Sequence, residues 1–374
     1  MDQLQDIDAG STLVVNVGGV TIQLSVVAAD GRTLVDRLID PWDGTDKTVL
    51  NDFLAEAPPF DQVGHRVVHS GGESALPSLI DARLESQIAA ATPLAPLHQE
   101  RVLSGIRAVR SLVPTLPHIA CFDSHFHRTM PASASTYAIP AEWSHRWRLR
   151  RLGFHGFSHE HVASVAQHIA GRSVSRIVSC HLASGSSLCA IQDGRSVDTT
   201  MGLTPLEGLT MATRSGSVDP GLILWLVTNT ELTASEVTDG LYNRSGLAGL
   251  GDGTGDMRDI VNRAGQSDER ATLALEVFLH GLRKGIAAMA AVLGGVDALA
   301  FTGGVGEHMA TVRAGAVEGL EFLGLELDPV ANTTAYGQDT DVSGANSRAA
   351  AIVVATGEHV EIAAACRRWR SDSM

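Results

Sequence analysis

Four charged residues stand where their chemistry asks for an explanation. In His65-Arg66-Val67-Val68-His69 an arginine precedes a short apolar run, and in Cys121-Phe122-Asp123-Ser124 a single carboxylate ends one. Met211-Ala212-Thr213-Arg214-Ser215-Gly216 sets a second arginine against serine and glycine, and Gly153-Phe154-His155-Gly156 holds a histidine between an aromatic residue and glycine. Taken singly, charges at strand ends are ordinary. Together with three glycine-rich loops they suit phosphoryl transfer, in which positioning and fixed positive charge do most of the catalysis. The loops are Asn16-Val17-Gly18-Gly19, Ala183-Ser184-Gly185-Ser186 and Thr302-Gly303-Gly304-Val305-Gly306-Glu307. Tight turns of this kind aim backbone N–H groups outward and make anion sites.

Other chemistries are excluded by what is missing. Lys47 and Lys284 are the only lysines, and neither closes a P-loop, so any phosphate is held by arginine, histidine, backbone N–H groups or a metal. No serine has glycine at both −2 and +2, so the hydrolase elbow is absent. Gly249, Gly251, Gly253 and Gly255 alternate in a phase that misses GxGxxG. His125, His127, His155, His159 and His161 cluster, but the glutamate of HExxH is lacking, and structural or phosphate-facing histidines explain them better than zinc.

Elements that would position these groups follow from the apolar pattern. Leu13 to Val15 reads as a strand, Asn16 to Gly19 as a turn and Ile22 to Val27 as the returning strand. The outline recurs at Ile177 to His181, the turn at Ala183 to Ser186, and Leu188 to Ile191, which predicts a duplicated domain with each half presenting a loop toward a shared cleft. Ala298 to Phe301 is a third strand that feeds a glycine loop, and helical stretches such as Ala271 to Leu293 make the fold α/β. The strand Ala351 to Ala355 and the helical tail Val360 to Arg370 lack partners nearby in sequence and are expected to cross back to the first domain. Arg146, Arg148, Arg150 and Arg151 mark the expected hinge, whose bland alternative is a solvated helix end.

The 374 residues are 44% hydrophobic, enough for two or three domains with real cores. A net charge of −14 makes nucleic acid and anionic membranes poor partners. No apolar leader and no CxxC pair occur, which predicts reduced thiols at Cys121, Cys180, Cys189 and Cys366 and a cytoplasmic protein. Ile286 to Leu293 is too short and glycine-broken to span a bilayer.

Several segments, in order and over nearly the whole chain, resemble the acetate kinase (acetate/propionate kinase) family. They are Gly64-His-Arg-Val-Val-His69, Ala95-Pro-Leu-His98, Phe122-Asp123, Arg150-Arg-Leu-Gly-Phe-His-Gly156, Ser196 to Gly208, Thr213-Arg-Ser-Gly216, Asp256-Met-Arg-Asp-Ile260 and Thr302-Gly-Gly-Val-Gly-Glu307. The resemblance implies the duplicated actin-like, sugar-kinase-like (ASKHA) fold with two domains and a central cleft. Residues 1–148 with 356–374 would form the acyl-side domain, and 149–355 the nucleotide-binding domain. It implies ATP/ADP with Mg2+ (Mn2+ as a substitute), a small carboxylic acid substrate and a homodimer. Arg66 and Arg214 would bind the carboxylate and the moving phosphoryl group, Asp123 would be the essential acid and His155 would stabilise phosphoryl oxygens. Val68, Leu97, Phe154 and Pro205 would line the acyl pocket. His181, Leu182, Ala183, Ser184, Gly185, Asp256, Met257, Arg258 and Gly303, Gly304, Val305, Gly306, Glu307, His308 would hold the nucleotide, and Asn16 and Glu358 the metal.

The departures gather on the nucleotide side. The family's first loop reads roughly N-x-G-S-S-S-x-K, whereas this chain has Asn16-Val17-Gly18-Gly19-Val20-Thr21-Ile22-Gln23, so the phosphate-facing lysine has become Gln23. The asparagine of the second loop is Ser184, and the one after the Gly-Glu of the third is His308. Three readings follow: an active ATP-dependent acetate or propionate kinase, an acyl kinase with another donor such as pyrophosphate or another acid, and a weakly active sensor of nucleotide or acyl phosphate. The intact charged set speaks against the last, because such groups left without a function cost stability.

Overall fold

The computed structural model describes residues 10–19, 21–71 and 75–373, so Val20 of the first loop lies outside the described residues. The chain divides into two compact units: unit 1 runs up to Arg128 and resumes at Gly357, and unit 2 is Thr129–Thr356. Each contains one six-stranded mixed sheet.

In unit 1 the strands are β1 (Thr12–Val17), β2 (Ile22–Val27), β3 (Thr33–Ile39), β4 (Gln62–Val67), β5 (Ser78–Leu79) and β6 (His118–Phe122). They lie in the order β3-β2-β1-β4-β6-β5. β1 is apolar apart from Thr12 and Asn16, and all six residues are buried, as a central strand covered on both faces requires. β1 pairs antiparallel with β2 and parallel with β4. β4 pairs parallel with β6, and β5 closes the edge antiparallel. Asn16, expected in the turn, belongs to β1 and stands opposite Gln23, because the ladder runs on to Val17–Ile22.

Unit 2 repeats this plan. Its strands are β7 (Arg176–Leu182), β8 (Ser186–Gln192), β9 (Arg195–Thr199), β10 (Ala298–Thr302), β11 (Thr340–Asp341) and β12 (Ala350–Val353). Read from the other edge, the order is β9-β8-β7-β10-β12-β11, with the same parallel and antiparallel pairings at each step. The helix Glu269–Val292 packs Phe278, Leu282 and Ile286 into this unit's core with Val178, Leu188, Leu299 and Phe301. Asp219, Asp256, Asp268 and Asp328 each cap a helix of unit 2 by accepting from its first-turn N–H groups, which gives part of the acidic excess a structural use.

Two features differ from expectation. Residues 129–148 fall in unit 2, not with the N-terminal part: Thr129 Oγ1 donates to Ser196 O at 2.8 Å, and Tyr137 Oη donates to Glu207 at 2.7 Å. The tail divides, since β12 stays in unit 2 beside β10 while the helix Glu358–Ser373 packs on β1, β4 and β6 of unit 1. Beneath that helix Gly64 leaves room for Cys366, whose Sγ a Cβ would meet at 2.6 Å. Among the described residues no helix is long and apolar enough to cross a membrane.

Unit 1 buries several imidazoles. His65 and His118 face each other at 2.9 Å, and His125 lies 2.9 Å from Arg128 Nη1. Burial, then the neighbouring His118 and Arg110, holds His65 well below its ordinary 6.5; burial, then Arg128, brings His125 down to about 4; burial also lowers His118. The unfolded chain therefore binds protons near pH 6.5 that the folded chain refuses. Stability should be full above about pH 7 and fall toward pH 4, by up to about 1.4 kcal/mol per pH unit for each ring. Urea midpoints at pH 7.5 and 5.5 check this, and an equal or higher midpoint at pH 5.5 would sink it.

Candidate active site

In unit 1, β4 and the end of β6 run parallel, which sets Arg66 beside Asp123. The pair is bidentate: Arg66 Nε donates to Asp123 Oδ1 at 3.0 Å and Nη2 to Oδ2 at 2.6 Å. Arg66 Nη1 also donates to Asn16 Oδ1 at 3.2 Å, and Asn16 Nδ2 donates to Glu358 Oε2 at 2.9 Å. Asp123 is fully buried, and Asn16 and Glu358 are nearly so. Burial alone would depress the Arg66 pKa, but the carboxylates of Asp123 and Glu358 raise it above its ordinary value. Three of the guanidinium's five N–H donors are used, which leaves two for an incoming carboxylate.

In unit 2 the second arginine is placed very differently. Arg214 is 6% exposed, and its Nη1 donates to Pro205 O at 2.6 Å. Among the described residues no carboxylate pairs with it, and burial, opposed by Tyr242, lowers its pKa to about 10. A buried guanidinium facing one carbonyl is a receptor for an anion. Gly185 is the floor beneath it: a Cβ there would collide with Arg214 Nη2 and lie 3.3 Å from His155 Nε2. Two residues beyond Pro205, Glu207 is held by Arg151 and Tyr137. Arg151 Nη2 and Tyr137 Oη each donate to Glu207 at 2.7 Å, and Arg151 Nη1 reaches the carbonyls of Thr200 and Met201. The expected hinge arginine is thus tied into unit 2.

His155 precedes the helix Gly156–Ala170 with a φ of 56°, an uncommon conformation for a residue with a Cβ. Its ring stacks on His181 with centroids 4.2 Å apart, and its Nδ1 lies 2.9 Å from Ser187 Oγ.

A pocket of about 650 Å³ opens in the same unit, lined by Ala183, Ser184, Asp256, Met257, Arg258, Gly304, Val305 and His308 among others. Eight residues expected at the nucleotide thus share one cavity. Leu182, Gly303 and Glu307 support it from behind. Gly303 has a φ of 77°, and a Cβ there would lie 2.8 Å from Leu182 O. Glu307 turns inward to accept from Gly303 N at 3.1 Å and from the Thr356 hydroxyl. Gln23 lies in unit 1, where its amide donates to Asp36 at 3.0 Å. Of the residues expected to line the acyl pocket, Val68 and Leu97 belong to unit 1, and Phe154 and Pro205 to unit 2.

A sequence model described as the Acetokinase family matches residues 12–364. This chain belongs to that family. It is 47% identical over 310 residues to the acetate kinase of Deinococcus deserti, covering 82% of this chain and 77% of the relative. The acetate kinase of Geobacillus kaustophilus is 39% identical over 358 residues, with 95% and 88% covered. The crystal structure of a propionate kinase from Francisella tularensis superimposes with a TM-score of 0.85 at 34% identity, covering 95% of this chain and 98% of that one.

Within this acetokinase the sequence reading missed several lining and supporting residues. Tyr336 and Phe278 line the pocket, and the Tyr336 ring lies 4.3 Å from that of His308. Nothing near Tyr336 in sequence marks it, since it follows a short helix far from the loops. Ser179 and Ser187 were readable: serines inside two apolar strands, at alternate positions shared with His181, mark one polar face of a hairpin.

Proposed function

We propose that this acetokinase catalyses the reversible transfer of a phosphoryl group from ATP to the carboxylate of acetate or propionate, giving ADP and the acyl phosphate. The observation that carries this reading is Arg214, a buried cation without a carboxylate, set beside His155 over Gly185. A loose transition state spreads negative charge over three phosphoryl oxygens, and fixed donors there lower the barrier. Arg66 would bind the acceptor carboxylate through its two remaining N–H groups. A carboxylate is already ionised near neutral pH and needs no base, so Asp123, with both oxygens on Arg66, acts as its orienter. Val68 and Leu97 in unit 1 are apolar, as are Phe154 and Pro205 in unit 2, a chemistry that suits a methyl or ethyl group. One methylene changes affinity by about 1–3 kcal/mol, so both acids would be used.

The 650 Å³ pocket, with Asp256, Arg258 and Tyr336 at its wall, favours a nucleotide over pyrophosphate. Asn16 and Glu358 supply oxygen donors, and the two carboxylates around Arg66 leave one excess negative charge, which suits Mg2+. Bound there, Mg2+ would neutralise phosphate charge. The four cysteines are buried and form no disulfide, which fits a cytoplasmic enzyme. The helix Pro220–Asn229 shows Leu222, Leu224, Trp225 and Val227 to solvent, an apolar face that a second copy would cover in a homodimer.

The test is an assay that traps acyl phosphate as hydroxamate, crossing ATP, GTP and pyrophosphate with formate, acetate, propionate and butyrate. ATP with acetate or propionate should be the most active combination. Activity with pyrophosphate alone, or with no donor, would overturn the reading.

A further inference from the structure

The β7–β8 hairpin and the first turn of the helix Gly156–Ala170 enclose a continuous chain of hydrogen-bonding side chains. Ser179 Oγ lies 2.8 Å from His159 Nδ1, His159 Nε2 lies 2.8 Å from Ser187 Oγ, and Ser187 Oγ lies 2.9 Å from His155 Nδ1. Ser179, Ser187 and His159 are completely buried. We propose that Ser187 and His159 are positioning residues that fix the tautomer of His155, placing its single proton on Nε2. The proposal rests on the reading above that His155 meets the phosphoryl group.

A serine hydroxyl carries one proton and two lone pairs. Ser187 is completely buried and its two partners are these ring nitrogens, so accepting from both would leave its O–H without an acceptor, and it donates to one ring and accepts from the other. A neutral imidazole likewise carries one N–H, and the chain has two self-consistent directions. In the first, Ser179 donates to His159 Nδ1, His159 Nε2–H donates to Ser187, and Ser187 donates to His155 Nδ1, which leaves the His155 proton on Nε2. In the second every bond is reversed, and His155 turns a lone pair outward at Nε2.

Geometry and charge select the first direction. Nε2 is the His155 ring atom nearest a Cβ built on Gly185, a position that Arg214 Nη2 also approaches, and this is the side where a phosphoryl oxygen would be held. A lone pair there would repel the oxygen, whereas an N–H donates to it. An imidazolium would also donate, but it would stand beside the buried Arg214 cation and stack on His181. A neutral ring with the proton on Nε2 supplies the donor without a second positive charge.

The experiment is a double-mutant cycle on the full-length enzyme with a spectroscopic readout. Ser187→Ala should lower kcat about 10- to 100-fold, the usual effect of removing a partner that orients a reacting group. KM for ATP and for acetate should stay within twofold, and Ser187→Thr, which keeps the hydroxyl, should recover most of kcat. In a His155→Ala background, Ser187→Ala should lower kcat by no more than twofold further. Long-range 1H–15N correlation of the His155 ring should report Nε2–H in the wild type and a mixture of tautomers in Ser187→Ala. Equal losses in both backgrounds, or Nδ1–H in the wild type, would overturn the relay. Full activity of His155→Ala alone would overturn the role of His155 itself, a separate failure.

Discussion

Replacing Arg214 by methionine is expected to lower kcat about a thousandfold while leaving the melting temperature unchanged or higher. The guanidinium is nearly buried, it donates to the Pro205 carbonyl, and burial has already lowered its pKa to about 10. A charge held this way costs stability in the empty protein and is compensated only when an anion arrives. Losing a cation that faces a moving phosphoryl group typically costs about 10³-fold or more in rate. Methionine fills the space without the desolvation cost, so activity and stability should move apart. Steady-state kinetics and thermal unfolding on the same sample decide the matter. A variant that melts several degrees lower and keeps its kcat would show that Arg214 is a strut.

Arg66→Met should show the opposite balance. Here the cation is the counter-charge of fully buried Asp123 and sits within reach of Glu358 through Asn16. Removing one partner of a buried pair leaves the other uncompensated and typically costs about 3–5 kcal/mol, so a large fall in the urea midpoint is expected together with loss of activity. Adding Asp123→Leu should recover most of that midpoint, since both charges are then gone, but none of the activity. If the double variant is no more stable than Arg66→Met, the pair is not what Arg66 contributes to the fold. The two arginines are thus distinguished by their partners.

That distinction marks where sequence stops being informative. The strands and glycine loops were legible because alternating burial and turn chemistry are local properties, and the repeated strand-turn-strand outline correctly implied two sheets of one plan. Arg66, Asp123, His155 and Arg214 were legible because charge in an apolar or glycine-rich setting needs a reason. Asn16 and Glu358 were named together only through the family resemblance, because they meet across 342 positions and only the register of β1 and the path of the last helix bring them together. The basic cluster from Arg146 to Arg151 put the expected boundary too late, because the place of residues 129–148 in unit 2 depends on hydrogen bonds such as Tyr137 to Glu207 that span 70 positions. Of the three departures from the family, Ser184 and His308 line the pocket, whereas Gln23 is engaged with Asp36 in unit 1.

The divided course of the tail bears on how the chain matures as it is made. Unit 2 is one uninterrupted stretch, whereas unit 1 needs the helix Glu358–Ser373 to cover Gly64 and Cys121 on β4 and β6. Chains emerge amino end first, and domains ordinarily complete in that order. Here that order cannot hold for unit 1, whose sheet is covered by the last helix only after all of unit 2 has been made. Glu358 can reach Asn16 only after that, so the carboxylate cluster around Arg66 is the last part of unit 1 to be assembled.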